Sequence, residues 1–327
     1  GFPRLPFETT STRPRRSLKY GDTFLVADSH GDVGATAGGP DGLFHNDTRF
    51  LSYLELTVND LQPLLLCSNV RDDNALLTVD QTNPDVYAHN HVVLQKDTLH
   101  IVRTIFLWRE TAFQRVSVHN HGDRTVDLRL AIRFDSDFAD LFEARGLHRA
   151  RRGAAIAPQV QRDRVVLSYR GLDERTRRTT LSFDPKPTKI EPHQASYRLA
   201  LAAGKATVIF IAVGCDAPDA KPAPFLRSLR AARRELRVAS AGMTAIESSN
   251  DLLNEVLCRS AADLSILMTD TPQGRYPYAG IPWYSTTFGR DGLITALQML
   301  WCNPSVARGV LRRLAAYQAT TNDPVAD

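Results

Sequence analysis

The sequence contains little cysteine or methionine and no long hydrophobic run. Its four cysteines lie far apart without a C-x-x-C pair, a spacing that predicts buried thiols in a reducing compartment. No stretch approaches the ~20 apolar residues that a membrane span requires. The N-terminal residues include prolines and arginines but lack the apolar core of a secretion signal. We therefore expect a cytoplasmic protein that does not bind a membrane.

Neither sign of charge dominates, because the net charge is only +4 in a chain with 23% charged and 43% hydrophobic residues. These values are typical of a soluble globular protein, and 327 residues suffice for one large or two medium domains. The arginines form short runs that are not interleaved with aromatic residues, as they would be in a nucleic-acid-binding module. We expect solvated arginine faces and no nucleic-acid partner.

Short apolar runs broken by turn residues fill the first two thirds of the chain, a pattern typical of antiparallel sheets. The clearest strand is predicted at residues 125–134, where apolar residues occupy every second position. It follows another such run and a turn at Gly122 and Asp123, so we expect a hairpin. Further strands are predicted at residues 24–28, 53–58, 100–108, 164–169, 179–183, 196–202 and 207–213. The sequence thus predicts a many-stranded sandwich of two sheets.

Helical spacing of apolar residues begins after a proline-rich break at residues 217–224. We predict a basic helix at residues 225–239 across the domain join, a helix from the N-cap Asn250 to Met268, a loop at residues 269–289, and a helix capped by Asn303. The predicted divisions are a flexible arm at 1–20, a β-sandwich at 21–216, a linker with a helix at 217–247, and a helical domain at 248–327.

Residues 281–300 combine aromatic, hydroxyl and charged side chains with the start of another helix. We predict that Asp291 caps this helix and that an apolar stripe on it faces a core, formed by Leu293, Ile294, Leu297, Leu300 and Trp301. Sugar rings stack on aromatic faces, and their hydroxyls bind guanidinium and carboxylate groups. The candidate sugar-binding residues are Trp283, Tyr284, Phe288, Arg290 and Asp291.

The same residue types also fit a purely structural segment. In that interpretation Asp291 only caps the helix, Arg290 pairs with another carboxylate, and the aromatic residues belong to an ordinary core. Residue types alone do not decide between the two, because clustered polar groups mark function only statistically.

Longer stretches around this segment resemble a known family. PYAGIPWYSTTFGRDGLITALQMLW and NPSVARGVLRRLAAYQAT resemble the start of the catalytic domain of bacterial amylo-α-1,6-glucosidases, the glycogen-debranching group of six-hairpin glycosidases. GLFHNDTRFLSYLELTVN and DNALLTVDQTNPD are similar to the N-terminal β domain of that family. The resemblance implies a multidomain β + α fold: an antiparallel, supersandwich-like β-sandwich followed by the first helices of an (α/α)6 toroid, truncated in this chain.

The resemblance also implies an activity. Related toroidal glucosidases hold the non-reducing-end glucose with an Arg-Asp pair at this place, which assigns Arg290 and Asp291 to that role. The implied reaction is inverting hydrolysis of α-1,6-linked glucose in glycogen or a related α-glucan, without a metal or organic cofactor. The general acid and base are expected beyond Asp327, so this chain alone is predicted to be inactive.

Inverting hydrolysis requires two carboxylates that flank the scissile bond. The carboxylates near the segment are Asp263, Asp270, Asp291 and Asp323, and none has the sequence surroundings of the acid or the base. The predicted helices carry apolar faces without partners, so these faces pack on the β domain, bind another copy in a homo-oligomer, or are exposed.

Two histidine pairs have the spacing of residues on one strand face, His89 with His91 and His119 with His121. A zinc site needs three or four converging ligands, and both pairs sit among turn residues, so we predict no metal.

The GLFHNDTRF segment has two explanations. It is either a loop that closes one edge of a sugar site across the domain interface, or a loop fixed by a network of Asp47 with Arg49. We favour the Asp47–Arg49 network.

Two other function classes stay open. One is a related toroidal glycosidase or glycoside phosphorylase, which would share the Arg-Asp pair. The other is a non-catalytic carbohydrate-binding or assembly module. Glucose release marks hydrolysis, phosphate dependence marks a phosphorylase, and binding without turnover marks the module.

Overall fold

The computed structural model describes residues 14–34, 39–216, 224–240, 242, 244 and 246–320. An antiparallel β part extends to Cys215, and a mainly helical part follows. The strands are β1 (Arg16–Tyr20), β2 (Thr23–Ala27), β3 (Gly42–His45), β4 (Thr48–Leu51), β5 (Tyr53–Val58), β6 (Leu64–Val70), β7 (Leu77–Thr82), β8 (Val86–Ala88), β9 (His91–Leu94), β10 (Leu99–Trp108), β11 (Thr111–Asn120), β12 (Val126–Asp135), β13 (Ala154–Val160), β14 (Arg164–Arg170), β15 (Thr176–Asp184), β16 (Lys189–Glu191), β17 (Gln194–Leu201), β18 (Ala206–Cys215), β19 (Met268–Thr271) and β20 (Gly274–Pro277).

Two sheets form the sandwich. An eight-stranded sheet in the order β13-β14-β15-β18-β11-β10-β7-β6 and a four-stranded sheet in the order β16-β17-β12-β5 contribute side chains to one buried cluster. In β12, for example, Leu128 and Leu130 are buried while Asp127 and Arg129 are exposed. The predicted antiparallel sandwich is confirmed, and each predicted strand is found with its ends shifted by only a few residues.

The predicted hairpin before β12 is wrong. β11 pairs with β10 and β18, whereas β12 pairs with β17 and β5 in the other sheet. Fully buried Asn120 fixes the crossing: its side chain accepts from the Gly122 amide at 2.9 Å and donates to the Leu201 carbonyl at 2.9 Å. The apolar faces of β11 and β12 therefore meet across the core, and the two strands do not lie side by side.

A third sheet, in the order β1-β2-β3-β4, lies beside the sandwich. One of its faces adds Leu18, Leu25 and Leu43 to the main core. Its first strand occupies Arg16–Tyr20, so the predicted arm at residues 1–20 is wrong at its C-terminal end; residues 1–13 lie outside the described residues.

A buried ion pair joins this region to the eight-stranded sheet. The Arg103 side chain on β10 is fully buried and donates to Asp32 Oδ1 at 2.5 Å. It also donates to the carbonyl oxygens of His30 at 2.6 Å and Gly31 at 2.7 Å. The guanidinium thereby fixes the loop after β2, because a buried charge is tolerated only when it is paired and hydrogen-bonded.

The helices are α1 (Leu141–Ala144), α2 (Phe225–Ser240), α3 (Asp251–Leu267), α4 (Gly289–Met299) and α5 (Pro304–Ala316). The predicted caps are confirmed, since the Asn250 side chain accepts from the Leu253 amide at 3.1 Å and the Asn303 side chain accepts from the Ser305 amide at 3.3 Å. Phe225 at the start of α2 packs on the outer face of the eight-stranded sheet.

Three further predictions are wrong in part. The predicted loop at residues 269–289 contains the hairpin β19–β20. Cys67 and Cys258 are exposed, whereas Cys215 is buried. The α4 stripe from Leu293 to Trp301 is exposed; the helix instead buries Ala296 and Met299 against Tyr276 and Val310. Residues 217–223 of the predicted break lie outside the described residues.

Candidate functional site

The aromatic segment before α4 lies against the β1–β4 sheet. Trp283 and Ile281 are partly buried on a cluster that includes Phe24, Phe44 and Ala144. The rings of Phe24 and Phe44 stack with centroids 4.7 Å apart. The β part therefore positions this segment, and Trp283 uses part of its surface for that packing.

Tyr284 and Phe288 keep more of their surface in solvent. They are 47% and 37% exposed, and their rings meet edge to face with centroids 5.7 Å apart. The Arg145 guanidinium lies 5.9 Å from the centre of the Tyr284 ring. These two aromatic rings offer apolar faces on which a sugar ring can stack.

Arg290 and Asp291 occupy the first turn of α4. The N-cap residue is Phe288, so the prediction that Asp291 caps the helix is wrong. The Arg290 side chain is 84% exposed, and its Nε lies 4.0 Å from Asp291 Oδ2. Among the described residues, neither the Arg290 nor the Asp291 side chain makes a hydrogen bond to another protein group. Both groups are therefore free to bind a ligand, and the helix N-terminus favours the carboxylate there.

Hydrogen bonds from Tyr276 and Arg313 of the helical part fix the start of α4. The Tyr276 hydroxyl donates to the Phe288 carbonyl at 2.7 Å, and a Cβ at Gly292 would lie only 2.2 Å from that hydroxyl oxygen. On α5, Arg313 Nε donates to Thr287 Oγ1 at 2.7 Å. Glycine at position 292 is thus required for the close approach that places Arg290 and Asp291.

A polar cavity of about 220 Å³ lies between the two parts of the molecule. We call it the hairpin pocket, after the β3–β4 hairpin whose turn residues Asn46 and Asp47 form part of its wall. The β part contributes Asp22, Phe24, Asn46 and Asp47, and the segment before α4 contributes Tyr278, Ser285 and Thr286. The Tyr278 hydroxyl donates to Asp22 Oδ1 at 3.0 Å. Burial, and then the charge of Asp22, raises the pKa of Asp47.

The favoured Asp47–Arg49 network is not formed. Arg49 instead pairs with Asp137, with Nε donating to Oδ1 at 3.1 Å, and donates to the Asp41 carbonyl oxygen at 3.3 Å. Arg49 therefore stabilises the β3–β4 hairpin through Asp137 and Asp41, and the Asp47 carboxylate lines the hairpin pocket without an ion pair to Arg49. The less favoured interpretation of GLFHNDTRF, a loop at the edge of a site between the two parts, agrees with the position of Asn46 and Asp47 in this pocket.

The other candidate carboxylates lie in different surroundings. Asp263 accepts from Asn74 at 2.7 Å and pairs with Arg259 at 3.1 Å, so it joins α3 to the β part. Asp270 has a side chain that is 90% exposed and lies 3.5 Å from Arg275. Asp323 lies outside the described residues. The expected acid and base beyond Asp327 stay a prediction.

A larger cleft of about 1050 Å³ runs between α2, the β1–β2 turn and the helical part, and neither Arg290 nor Asp291 lines it. Inside this cleft, Glu235 of α2 accepts from Trp108 Nε1 at 3.0 Å and from the Tyr20 hydroxyl. These bonds tie α2 to the β part, so we assign Glu235 a structural role.

The histidine pairs lie at turns. His89 has a left-handed backbone between β8 and β9, and His121 follows the end of β11. The His119 and His121 rings are 4.0 Å apart, and His100 bonds Asp80 at 3.0 Å. Among the described residues, no group of three or more His, Cys, Asp or Glu side chains is arranged to hold a metal ion.

Comparison with known proteins decides the family. The sequence profile of the N-terminal domain of some glycogen debranching enzymes matches residues 18–212, more than half of the chain. The chain belongs to this family. The resemblance inferred from GLFHNDTRF and the following strands is thereby confirmed, and the matched residues span the sandwich and the β1–β4 sheet. A search of the curated proteins gives no match.

Two solved structures share the fold. A protein assigned as a kojibiose phosphorylase, from the human microbiome, is 11% identical with a TM-score of 0.61, and the match covers 90% of this chain and 45% of that one. A bacterial glucoamylase complexed with acarbose is 12% identical with a TM-score of 0.54, with coverages of 96% and 52%. This chain thus spans about half the length of these structures.

Across the described part of the chain, no helix has both the length and the apolar composition that crossing a bilayer would require.

Proposed function

We propose that this chain is the N-terminal part of a debranching-type glycoside hydrolase that releases α-1,6-linked glucose from glycogen or a related α-glucan. The observation that carries the proposal is the free Arg290–Asp291 pair beside the exposed rings of Tyr284 and Phe288, in a chain of the debranching family. Charged donors and acceptors next to aromatic faces suit the hydroxyls and the C–H faces of a glucose unit.

In the proposed mechanism, Arg290 and Asp291 orient the terminal glucose while Trp283 stacks on its ring or lies against it. An acid and a base, supplied by residues beyond Asp327, protonate the leaving oxygen and activate a water on the opposite side. Inversion requires these carboxylates to lie roughly 6.5–9.5 Å apart so that the water fits. Protonation and water activation need no metal or organic cofactor, and we propose none.

We propose a cytoplasmic location for the complete protein. The support is that all four cysteines are free thiols, two of them exposed, as is common in a reducing compartment.

We also propose that the exposed apolar faces of α3 and α4 are covered in the complete protein by further helices. Leu252 is 70% exposed, Leu297 69% and Trp301 68%. Large exposed apolar patches mark contact surfaces. A second copy of the chain is the alternative cover. Sedimentation velocity of the 327-residue chain and of the complete protein tests this, since a patch covered within one molecule leaves the complete protein monomeric.

The activity is tested by glucose release from phosphorylase-limit dextrin, with the complete natural protein and the 327-residue chain assayed side by side. We expect release by the complete protein and none by the folded 327-residue chain. Release by the shorter chain would show that a working acid–base pair lies within these residues.

A phosphorylase is the second candidate, because the kojibiose phosphorylase structure covers 90% of this chain. Assays with and without inorganic phosphate separate the two reactions, since only a phosphorylase requires phosphate and releases a sugar phosphate. Glucan binding without turnover by the complete protein would instead favour a carbohydrate-binding module.

A further inference from the structure

The hairpin pocket joins two segments that are more than 200 residues apart in the sequence. One wall is the turn between β3 and β4, and the other is the segment that leads into α4. Its volume of about 220 Å³ is below the range of about 300–1,000 Å³ that drug-sized ligands occupy. The pocket therefore fits a single small ring rather than an oligomer.

The turn that carries Asp47 is held by its backbone conformation and by hydrogen bonds on both sides. Asn46 and Asp47 have left-handed backbones with φ values of 43° and 61°, conformations that Asn and Asp tolerate better than most residues. His45 and Thr48 pair on either side, and the Leu141 amide donates to the Asp47 carbonyl at 2.9 Å. The direction of the Asp47 side chain is thus set by a closed two-residue turn that is anchored on α1.

Three polar groups in the pocket have no protein partner. Within the described residues, neither the Asp47 carboxylate nor the hydroxyls of Ser285 and Thr286 make a hydrogen bond to a protein group. Ser285 is nevertheless buried at 8% exposure. Asp47 and Thr286 are exposed, so solvent satisfies their polar atoms, whereas the buried Ser285 hydroxyl needs a water or a ligand in the cavity.

The two carboxylates of the hairpin pocket exclude anionic ligands. The carboxylates of Asp22 and Asp47 both line the cavity, so an anionic ligand such as phosphate is repelled. A neutral polyol instead donates hydrogen bonds from its hydroxyl groups to the carboxylates. Its hydroxyls also donate hydrogen bonds to, and accept them from, serine and threonine hydroxyls. Phe24 adds an aromatic surface to the same cavity.

We propose that the hairpin pocket binds a second sugar unit of the glucan, next to the unit held by Arg290 and Asp291, and that Asp47 accepts hydrogen bonds from its hydroxyls. This inference rests on the proposed function and extends it, because it makes the β part a determinant of substrate length. Thr286 and Arg290 are four residues apart, so their Cα atoms lie within about 14 Å even in an extended chain.

The chain offers a matched control for removing Asp47. Asn59 and Asp60 form another two-residue Asn-Asp turn, with φ values of 49° and 63°, between Val58 and Leu61. Asp60 is at the surface and pairs with Arg129. Glycine fits both left-handed positions, and Asn-Gly is a favoured sequence for such turns, so Asp47→Gly and Asp60→Gly each remove a side chain and keep the turn.

The experiment measures equilibrium binding of glucose and isomaltose, which consists of two α-1,6-linked glucose units, to the complete natural protein. We expect Asp47→Gly to raise the Kd for isomaltose at least tenfold and to leave the Kd for glucose unchanged, because a single glucose binds first at the Arg290–Asp291 site, which Asp47 does not contact. Asp60→Gly should leave both Kd values unchanged. Unchanged melting temperatures establish that the variants are folded.

A second variant tests the opposite wall. Thr286→Val keeps the shape of the side chain and removes its hydroxyl, so we expect a smaller rise in the Kd for isomaltose, roughly two- to tenfold, again without an effect on glucose.

The outcomes separate the inference from the proposed function. If the wild-type protein binds both sugars and Asp47→Gly weakens neither, or weakens both equally, the second-unit position is wrong while glucan binding stands. If the wild-type protein binds neither glucose nor isomaltose, the proposed function fails first and the inference fails with it.

Discussion

The β part and the helical part bury their apolar residues to different extents. Alternation in β12 and its neighbours places large apolar side chains of both sheets of the sandwich in one extensive core. The helical part has a much smaller core around Tyr276, Met299 and Val310. Its α3 has no buried residue, and Leu297 and Trp301 of the α4 region are mostly exposed.

This difference shows that the two parts need different partners to cover their apolar faces. A sheet that is buried on one face is satisfied by the opposite sheet of the same domain. A helix with an apolar stripe needs another helix or sheet against that stripe. The β part has its partners within the described residues, whereas the stripes of α3 and α4 do not. Stability measurements should therefore respond strongly to the first part and weakly to the exposed stripes.

The largest effect is expected from breaking the buried ion pair of the β part. Asp32→Ala leaves the fully buried Arg103 guanidinium without its carboxylate, which should lower the free energy of unfolding by about 3–5 kcal/mol. Urea unfolding followed by circular dichroism measures this. Asp60→Asn, which removes the partner of Arg129 at the surface, is the control and should cost no more than about 1 kcal/mol. Equal effects would mean that Arg103 finds another partner or water.

A matched pair of leucine substitutions tests the comparison directly. Leu130→Ala opens a cavity in the sandwich core and should cost about 2–5 kcal/mol of unfolding free energy. Leu297→Ala removes a side chain that is 69% exposed and should change it by no more than about 0.5 kcal/mol in the 327-residue chain. A large loss from Leu297→Ala would show that the α4 stripe has a partner in solution.

The strands were predictable because alternation is a local signal. Residues 53–58 were predicted and found as β5 without any shift, and the caps Asn250 and Asn303 were found where predicted. Strand partners were not predictable in the same way. The run before β12 has the pattern of a hairpin strand, but its pairing is decided by which face meets the opposite sheet across the core.

The site was predictable in composition but not in geometry. Aspartate is a common cap, so Asp291 was expected to cap α4, yet the Tyr276–Phe288 bond and the close approach at Gly292 place the N-cap at Phe288, three residues earlier. The hairpin pocket required knowing that the β3–β4 turn meets Ser285 and Thr286, a contact between distant segments. The hairpin β19–β20 was missed because its residues do not alternate.

An intermediate effect is expected at Asp291, in the helical part but outside its small core. Asp291→Ala in the complete protein should lower kcat/KM for glucose release by an amount equivalent to about 1.5–3 kcal/mol, the range for a hydrogen bond to a charged group. Kinetics on limit dextrin measure it, and an unchanged melting temperature confirms folding. A folded variant with unchanged kcat/KM would remove Asp291 from the site and leave the exposed turn of α4 without its proposed role.

The smallest effect concerns Lys19, a charge that is buried where the two parts meet. Its Nζ donates to Thr269 Oγ1 at 2.8 Å and lies 5.2 Å from the centre of the Tyr278 ring. Burial lowers the pKa of Lys19 from 10.5 to about 8, against an opposing effect of Asp22. Between these two pH values the unfolded chain binds more protons than the folded chain, so the contribution of Lys19 to stability rises with pH.

Comparison with Lys19→Met isolates this contribution, because the raised pKa values of neighbouring tyrosines affect both proteins alike. Relative to the variant, the wild type should gain about 1–2 kcal/mol of unfolding free energy between pH 7 and pH 9.5. Urea unfolding at several pH values measures the difference. A constant difference would mean that Lys19 is hydrated, and that the junction between the β part and the helical part is more open than its packing indicates. A difference that rises with pH requires the junction to stay closed, which the hairpin pocket also requires, because Tyr278 contacts both Lys19 and Asp22.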